Sequence, residues 1–330
     1  MTIWNKPISR RHTLALTGGG LLAAGLGVRP SQAAMAEIRQ GYQTNMWGMP
    51  TYYLMHSGLL EKNGIKFQDF GVPSGNLTMQ QMVARQVDLG TFAGPSFIIG
   101  NAKGGLVAIA KIENVGKTAR VMARKDLGIT KVEQLRGKKV ANQTGSSIGN
   151  IFVDQIATKA GLHKGDYQEI RTNVNDMVSA MAAKTVDAMV CVEPYNAIAE
   201  DEGIANTLVD FYSFDKLPVF MAATPEFVDK NPDTVVAYLK AWLECAKQFK
   251  TEYDKVSETV YKFYTSKGYK MSKGTFAKAL GRVEVDPGWP ADLDPYMQHH
   301  AEVLIKAKKI KKAPDWNTAF RKDFLKKAMG

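Results

Sequence analysis

The stretch NLTMQQMVARQVDLGTFAGPSFIIGNAKG, residues 76–104, recurs in outline as NDMVSAMAAKTVDAMVCVEPYNAIAEDEG, residues 175–203. At this offset of 99, Asn76 meets Asn175, Met82 meets Met181, Ala84 meets Ala183 and Val87-Asp88 meets Val186-Asp187. Pro95 then meets Pro194, and Gly104 meets Gly203. The matches fall on a helix start, a helix end, a strand start, the next helix start and a closing glycine. A repeat with matched structural roles predicts two similar α/β lobes.

Outward from the repeat, short apolar runs alternate with helical periods, the mark of βαβ units and parallel sheets. Ile38 to Tyr42, Lys66 to Phe70 and Asp88 to Phe92 read as strands, as do Lys138 to Ala141, Tyr167 to Ile170 and Asp187 to Val192. Helices are expected over Tyr52 to Lys62, Asn76 to Arg85, Pro95 to Gly104 and Val174 to Lys184. Another carries Ile148, Ile151, Phe152 and Ile156 on one face and ends at Gly161. Two longer extended runs, Leu106 to Ile112 and Ala119 to Arg124, separate the halves. From Pro225 the pattern is nearly all helical, with Val235, Leu239, Trp242, Ala246 and Phe249 on one stripe.

A chain of 330 residues with 45% hydrophobic and 23% charged residues has globular composition and room for about two domains. The first 36 residues hold no Asp or Glu. Arg10-Arg11 precedes an apolar, Gly-rich run from Leu14 to Val28, and small residues lead to Ala34-Met35-Ala36. That is a charged region, an apolar region and an A-x-A cleavage site, so export is expected. The paired arginines resemble a twin-arginine signal, although Thr13 stands where that signal carries Phe; an ordinary secretory signal is the alternative. Without residues 1–36, 39 basic residues face 32 acidic ones, a net +7 that steers anions. The densest basic run, Lys306, Lys308, Lys309, Lys311 and Lys312, reads as a solvated face, and no nucleic-acid partner is implied.

The only cysteines are Cys191, ending an apolar strand pattern, and Cys245, in a helical pattern. Two separately buried thiols are expected, with a disulfide as the alternative in an exported protein. No Cys-x-x-Cys occurs, the histidines lack metal-ligand spacing, and no cofactor or metal site is expected.

The ordered segments Gly58-Leu59-Leu60-Glu61-Lys62-Asn63-Gly64-Ile65, Leu135-Arg136-Gly137-Lys138-Lys139-Val140-Ala141, Val186-Asp187-Ala188, Glu193-Pro194-Tyr195, Pro225-Glu226-Phe227 and Asn231-Pro232 carry a family likeness. The chain resembles the nitrate/sulfonate/taurine class of ABC-importer solute-binding proteins. The resemblance implies two Rossmann-like lobes joined by a two-strand hinge, the type II periplasmic-binding-protein fold, with ligand held between the lobes. Mapped here, residues 37–124 plus 223–330 form lobe one and residues 125–222 form lobe two. The hinges fall near Val121 to Arg124 and Val219 to Ala222. The implied protein is a periplasmic monomer, not an enzyme, that hands its ligand to a membrane permease with an ATPase. A thiamine-pyrimidine synthase family shares the architecture, but it uses His and a Cys-rich motif; this sequence has no Cys-rich motif, and the one His near a predicted strand end, His56, falls inside a helix.

Open parallel sheets bind ligands beyond the carboxyl ends of their strands. There, unpaired N–H groups at helix starts make an anion site without arginine. Thr144-Gly145-Ser146-Ser147 is the leading candidate, offering three hydroxyls and a glycine for close backbone approach; the competing reading is a plain helix cap. Ser74-Gly75 and Gly94-Pro95-Ser96 are similar candidates, and Asn173 lies at another strand end. Trp47 is either a wall for the ligand or packing against its own lobe. Glu193 either meets a ligand cation, caps its helix or pairs with a basic side chain. Tyr195 and Phe92 add apolar area. Neutral donors beside apolar rings suit a small organic acid with one anionic group, a sulfonate foremost, with an aromatic or pyrimidine-like nutrient as the alternative.

Overall fold

A computed structural model describes residues 35–143, 146–266, 268 and 270–330. The expected export signal falls almost wholly outside the described residues, and so do Thr144 and Gly145 of the leading candidate loop. Eleven strands are defined among the described residues: β1 (Ile38–Gln43), β2 (Phe67–Val72), β3 (Leu89–Ala93), β4 (Val107–Asn114), β5 (Ala119–Arg124), β6 (Lys139–Asn142), β7 (Gln168–Arg171), β8 (Ala188–Val192), β9 (Ala205–Asp210), β10 (Pro218–Ala223) and β11 (Glu284–Gly288). The helices are α1 (Met49–His56), α2 (Leu59–Lys62), α3 (Gly75–Val83), α4 (Gly94–Gly104), α5 (Ser147–Ile151), α6 (Val174–Ala182), α7 (Tyr195–Asp201), α8 (Pro225–Lys230), α9 (Pro232–Thr251), α10 (Tyr253–Ser266), α11 (Lys273–Leu280), α12 (Leu293–Lys306), α13 (Trp316–Ala319) and α14 (Lys322–Met329). Short 3₁₀ turns fill several loops, and a π-helical segment, Phe152–Ala157, continues α5.

The repeat is expressed in both sheets. One sheet runs β2-β1-β3-β10-β4-β11 and the other β7-β6-β8-β5-β9. In each, three parallel strands are followed by two more joined by antiparallel pairing, and β11 adds an antiparallel edge to the first sheet only, so β1, β2, β3, β10 and β4 correspond to β6, β7, β8, β5 and β9. The repeated Asp has a local reason. Asp88 accepts the Arg39 N–H (3.1 Å), and Asp187 accepts the Lys139 N–H (2.9 Å). Each carboxylate thus satisfies a donor at the start of the neighbouring parallel strand. Arg85 and Lys184, 99 residues apart, both take left-handed backbone at φ 60° and 59° where their helices end.

The two sheets make mixed α/β layers around one continuous apolar cluster that includes Ile109 and Val219 of the first sheet and Val121 and Val190 of the second. The expected stripe of α9 is buried throughout, as Val235, Leu239, Trp242, Ala246 and Phe249. A second cluster, with Met79, Met82, Phe97, Phe220 and Phe320, fills the opposite face of the first sheet.

Several expectations need correction. The helix expected from Tyr52 to Lys62 is broken by Gly58, whose φ of 83° starts a separate short helix. The hinge positions shift most. β5 pairs with β8 and β9, and β10 pairs with β3 and β4. Residues 119–124 therefore belong to the second sheet and 218–223 to the first. The chain crosses between sheets at 115–118 and 211–217, not at Val121–Arg124 and Val219–Ala222. The crossings bond to each other: Val115 N–H to Leu217 O (3.1 Å), Gly116 N–H to Lys216 O (2.9 Å) and Phe211 N–H to Gly116 O (3.2 Å). A Cβ on Gly116 would lie 2.5 Å from Asp215 O, so glycine is what lets the crossings approach.

Candidate functional site

The loops after β1 and β8 meet on one residue of the first crossing. Thr118 is fully buried; its hydroxyl donates to Val115 O (2.6 Å) and accepts the Trp47 indole N–H (2.6 Å). Its carbonyl accepts the Glu193 N–H (3.1 Å) and the Asn196 side-chain amide (2.9 Å). One loop from each sheet therefore meets at the first crossing. Thr118 and Asn196 were not among the sequence candidates.

Trp47 is buried at 8% exposure, and with its N–H spent on Thr118 it serves as packing that ties the β1 loop to the crossing. Glu193 is 0% exposed. One oxygen accepts the Ala197 N–H (3.0 Å), and the other pairs with Arg282, a residue about ninety positions downstream. Burial pushes the Glu193 carboxyl up, with Arg282 opposing. The helix-capping and ion-pair readings of Glu193 both hold in this arrangement, and its charge is committed to Arg282.

The other candidates take up varied places. Ser146 caps α5 by accepting the Gly149 N–H (3.1 Å), and Ser147 opens that helix half-buried. Ser74 caps α3 through the Leu77 N–H (3.4 Å). Asn173 is exposed, with its amide 3.5 Å from Asp176. The Tyr195 hydroxyl donates to Asn175 (2.6 Å), joining the starts of α6 and α7. Ser96 is half-buried in the first turn of α4.

Phe92 is a correction. It has 0% exposure and lies in the cluster between the first sheet and its helices, so its ring is unavailable to a ligand. The glycines answer to packing. A Cβ on Gly75 would lie 2.3 Å from the Gln43 amide and 2.8 Å from Phe92 Cβ. One on Gly94 would meet Met297 at 3.0 Å.

Basic side chains that the sequence reading did not single out carry the strongest electrostatics. Arg282 Nη2 (3.1 Å) and Lys278 (2.8 Å) share one oxygen of Glu200; Arg120 (3.0 Å) and the Thr207 hydroxyl (2.7 Å) reach the other. Burial works against the Glu200 charge, but Lys278, Thr207 and Arg282 outweigh it and pull the carboxyl down to about 2. Burial also opposes charge on Arg282, yet Glu193 and Glu200 hold it above its ordinary value. The second crossing is anchored separately. Asp215 accepts the Tyr296 hydroxyl (2.9 and 3.1 Å) and the Leu217 N–H (2.7 Å), with His300 at 3.3 Å. No local pattern announces the pairs that Arg282 and Tyr296 make, whose partners lie about eighty or more positions apart.

Cys191 and Cys245 are free and buried, and burial pushes both thiols up. Among the described residues, no group of three or more His, Cys, Asp or Glu is placed to hold a metal ion. No helix among them is long and apolar enough to cross a membrane.

Comparison with known proteins agrees with this architecture. A binding protein of Brucella abortus is 30% identical over 221 residues, covering 65% of this chain and 67% of that protein. An aliphatic sulfonates-binding protein of Bacillus subtilis is 26% identical over 331 residues, covering 97% of each. The crystal structure of the periplasmic aliphatic sulphonate binding protein of Escherichia coli matches with a TM-score of 0.75 at 22% identity, over 86% of this chain and 91% of that one. The family model described as NMT1/THI5 like matches residues 44–252, and with this architecture the chain belongs to that family.

Proposed function

We propose that the chain is the solute-binding component of an ABC importer, exported to the periplasm, and that it holds a small organic anion, foremost a sulfonate, between its two lobes. The observation that carries this reading is the end-to-end similarity to a protein named for aliphatic sulfonates, on a chain whose two sheets meet at paired crossings. The loops after β1 and β8 meet at Thr118, and Ser74 and Ser146 cap helices that start after β2 and β6. Such helix starts favour a singly charged anion held by neutral donors. Closing two lobes on the ligand is the motion that crossings of this kind permit. The permease and its ATPase are the partners this role requires.

The relatives named above are binding proteins, which favours a binding role over catalysis. Both cysteines are buried with thiols pushed up, so neither supplies a thiolate nucleophile.

Titration calorimetry against alkanesulfonates, taurine, nitrate, aromatic acids and pyrimidines tests the ligand class. Micromolar or tighter binding of an alkanesulfonate with no binding of pyrimidines is the expected result. Tight binding of a neutral pyrimidine alone overturns the anion reading. Intact mass of the protein from a periplasmic fraction tests export. A mature chain starting near Glu37 is expected, and a cytoplasmic chain retaining residues 1–33 refutes it.

A further inference from the structure

The C-terminal part of the chain touches the second lobe beside the first crossing, through side chains of α11 and Arg282 rather than through either connecting segment. α11 is held by the first lobe. Phe276 packs on Tyr261 and Tyr264 of α10, with ring centroids 5.4 and 5.0 Å apart. The Tyr253 hydroxyl donates to Ala277 O (2.5 Å), and the Tyr264 hydroxyl donates to Thr44 O at the end of β1 (3.0 Å). Just beyond α11, β11 is an edge strand of the first sheet.

The other side of α11 faces α7 of the second lobe. Lys278 and Arg282 converge on Glu200, Thr275 donates to Asp201, and Arg282 also reaches the wholly buried Glu193. Next to them, Lys117 of the first crossing pairs with Glu284 of β11. Each of these charges faces one of opposite sign. Direct ion pairs reach only about 4 Å. A rotation about the crossings that draws α7 away from α11 by more than that breaks the links together and brings Glu193 and Arg282 into water.

We propose that α11 and Arg282 form a clasp that is made when the lobes are drawn together and released when they part. Part of the free energy of closure then comes from the protein itself, so the clasp sets the closed fraction on which apparent ligand affinity depends. This inference rests on the two-lobe clamp reading above and adds to it a device that tunes closure.

The test uses Lys278→Gln, Glu200→Gln and the double substitution. The Lys278 side chain is 48% exposed and Glu200 18%, so these changes spare the buried Glu193 pair. Labels go on Gln80→Cys and Ser179→Cys, equivalent exposed positions of α3 and α6. The native thiols are buried and do not compete. In ligand-free protein, the inter-label distance distribution should shift toward the open population in each variant. Raising salt should open the unsubstituted protein more than the double variant. Affinity for pentanesulfonate should fall about fivefold for each single variant, with the two effects coupled in a double-mutant cycle. Unchanged ligand-free distances, or a shift toward closure with tighter binding, overturn the clasp. If pentanesulfonate fails to bind the unsubstituted protein, the ligand reading falls, while the ligand-free distances still decide the clasp.

Discussion

Arg282→Gln probes the pair on which the lobe contact depends. It removes the guanidinium from Glu193, which is 0% exposed, while Glu200 keeps Lys278, Arg120 and Thr207. Stranding a buried charge costs about 3–5 kcal/mol when it stays charged. Glu193 has an escape, because it can take up a proton. Protonation at pH 7 of a carboxyl whose ordinary value is 4.5 costs about 3.4 kcal/mol, at roughly 1.36 kcal/mol per pH unit. That figure caps the penalty, and the same arithmetic caps it at about 0.7 kcal/mol at pH 5. The sign follows from proton binding. In the variant, folded Glu193 holds a proton that the unfolded chain has released, so stability falls as pH rises above 4.5. Urea denaturation of both proteins at pH 5 and pH 7 measures the difference. The deficit should be largest at pH 7 and mostly gone at pH 5, and adding Glu193→Gln should recover most of it. An equal deficit at both pH values, or no recovery with Glu193→Gln, refutes the burial argument.

Three further outcomes are expected. Gly116→Ala drives a methyl against Asp215 O at the touching crossings; a loss of about 1–3 kcal/mol, seen as a lower Tm, is expected, and an unchanged Tm would show that the crossings yield freely. Trp47→Phe removes the indole donor from the buried Thr118 hydroxyl and should cost about 0.5–1.5 kcal/mol in denaturant titration; Thr118→Val in the same background also removes the bond to Val115 O and should add a loss of the same order. Ser146→Asp keeps a good helix cap, so the fold should hold while a negative charge enters the proposed anion site. At about 4 Å, repulsion of roughly 1 to 4 kcal/mol predicts a fivefold to several-hundredfold weaker alkanesulfonate binding by calorimetry, and undiminished affinity would place the anion elsewhere.

Sequence alone determined the repeat, the parallel strands and the helical C-terminal part, and it favoured two buried thiols over a disulfide. Each of these is written in local periodicity or in residues at fixed offset, such as Val87-Asp88 and Val186-Asp187. Local capping chemistry was legible too, since Ser74 and Ser146 need only their own next turn. Where the chain changes sheets was not legible. β10 is buried along its whole length and β5 over nearly all of it, so their apolar runs carry no mark of the sheet they join. The same uniform burial hid which face of β3 Phe92 occupies. Glycine read as room for a ligand at Gly75 and Gly94, because a sequence cannot distinguish an approaching ligand from an approaching side chain. Only the tertiary structure set Arg282 against Glu193 and Trp47 against Thr118. Partners separated by about seventy to ninety residues have no spacing rule, and pairing is enforced by the cost of burying charge and N–H groups alone.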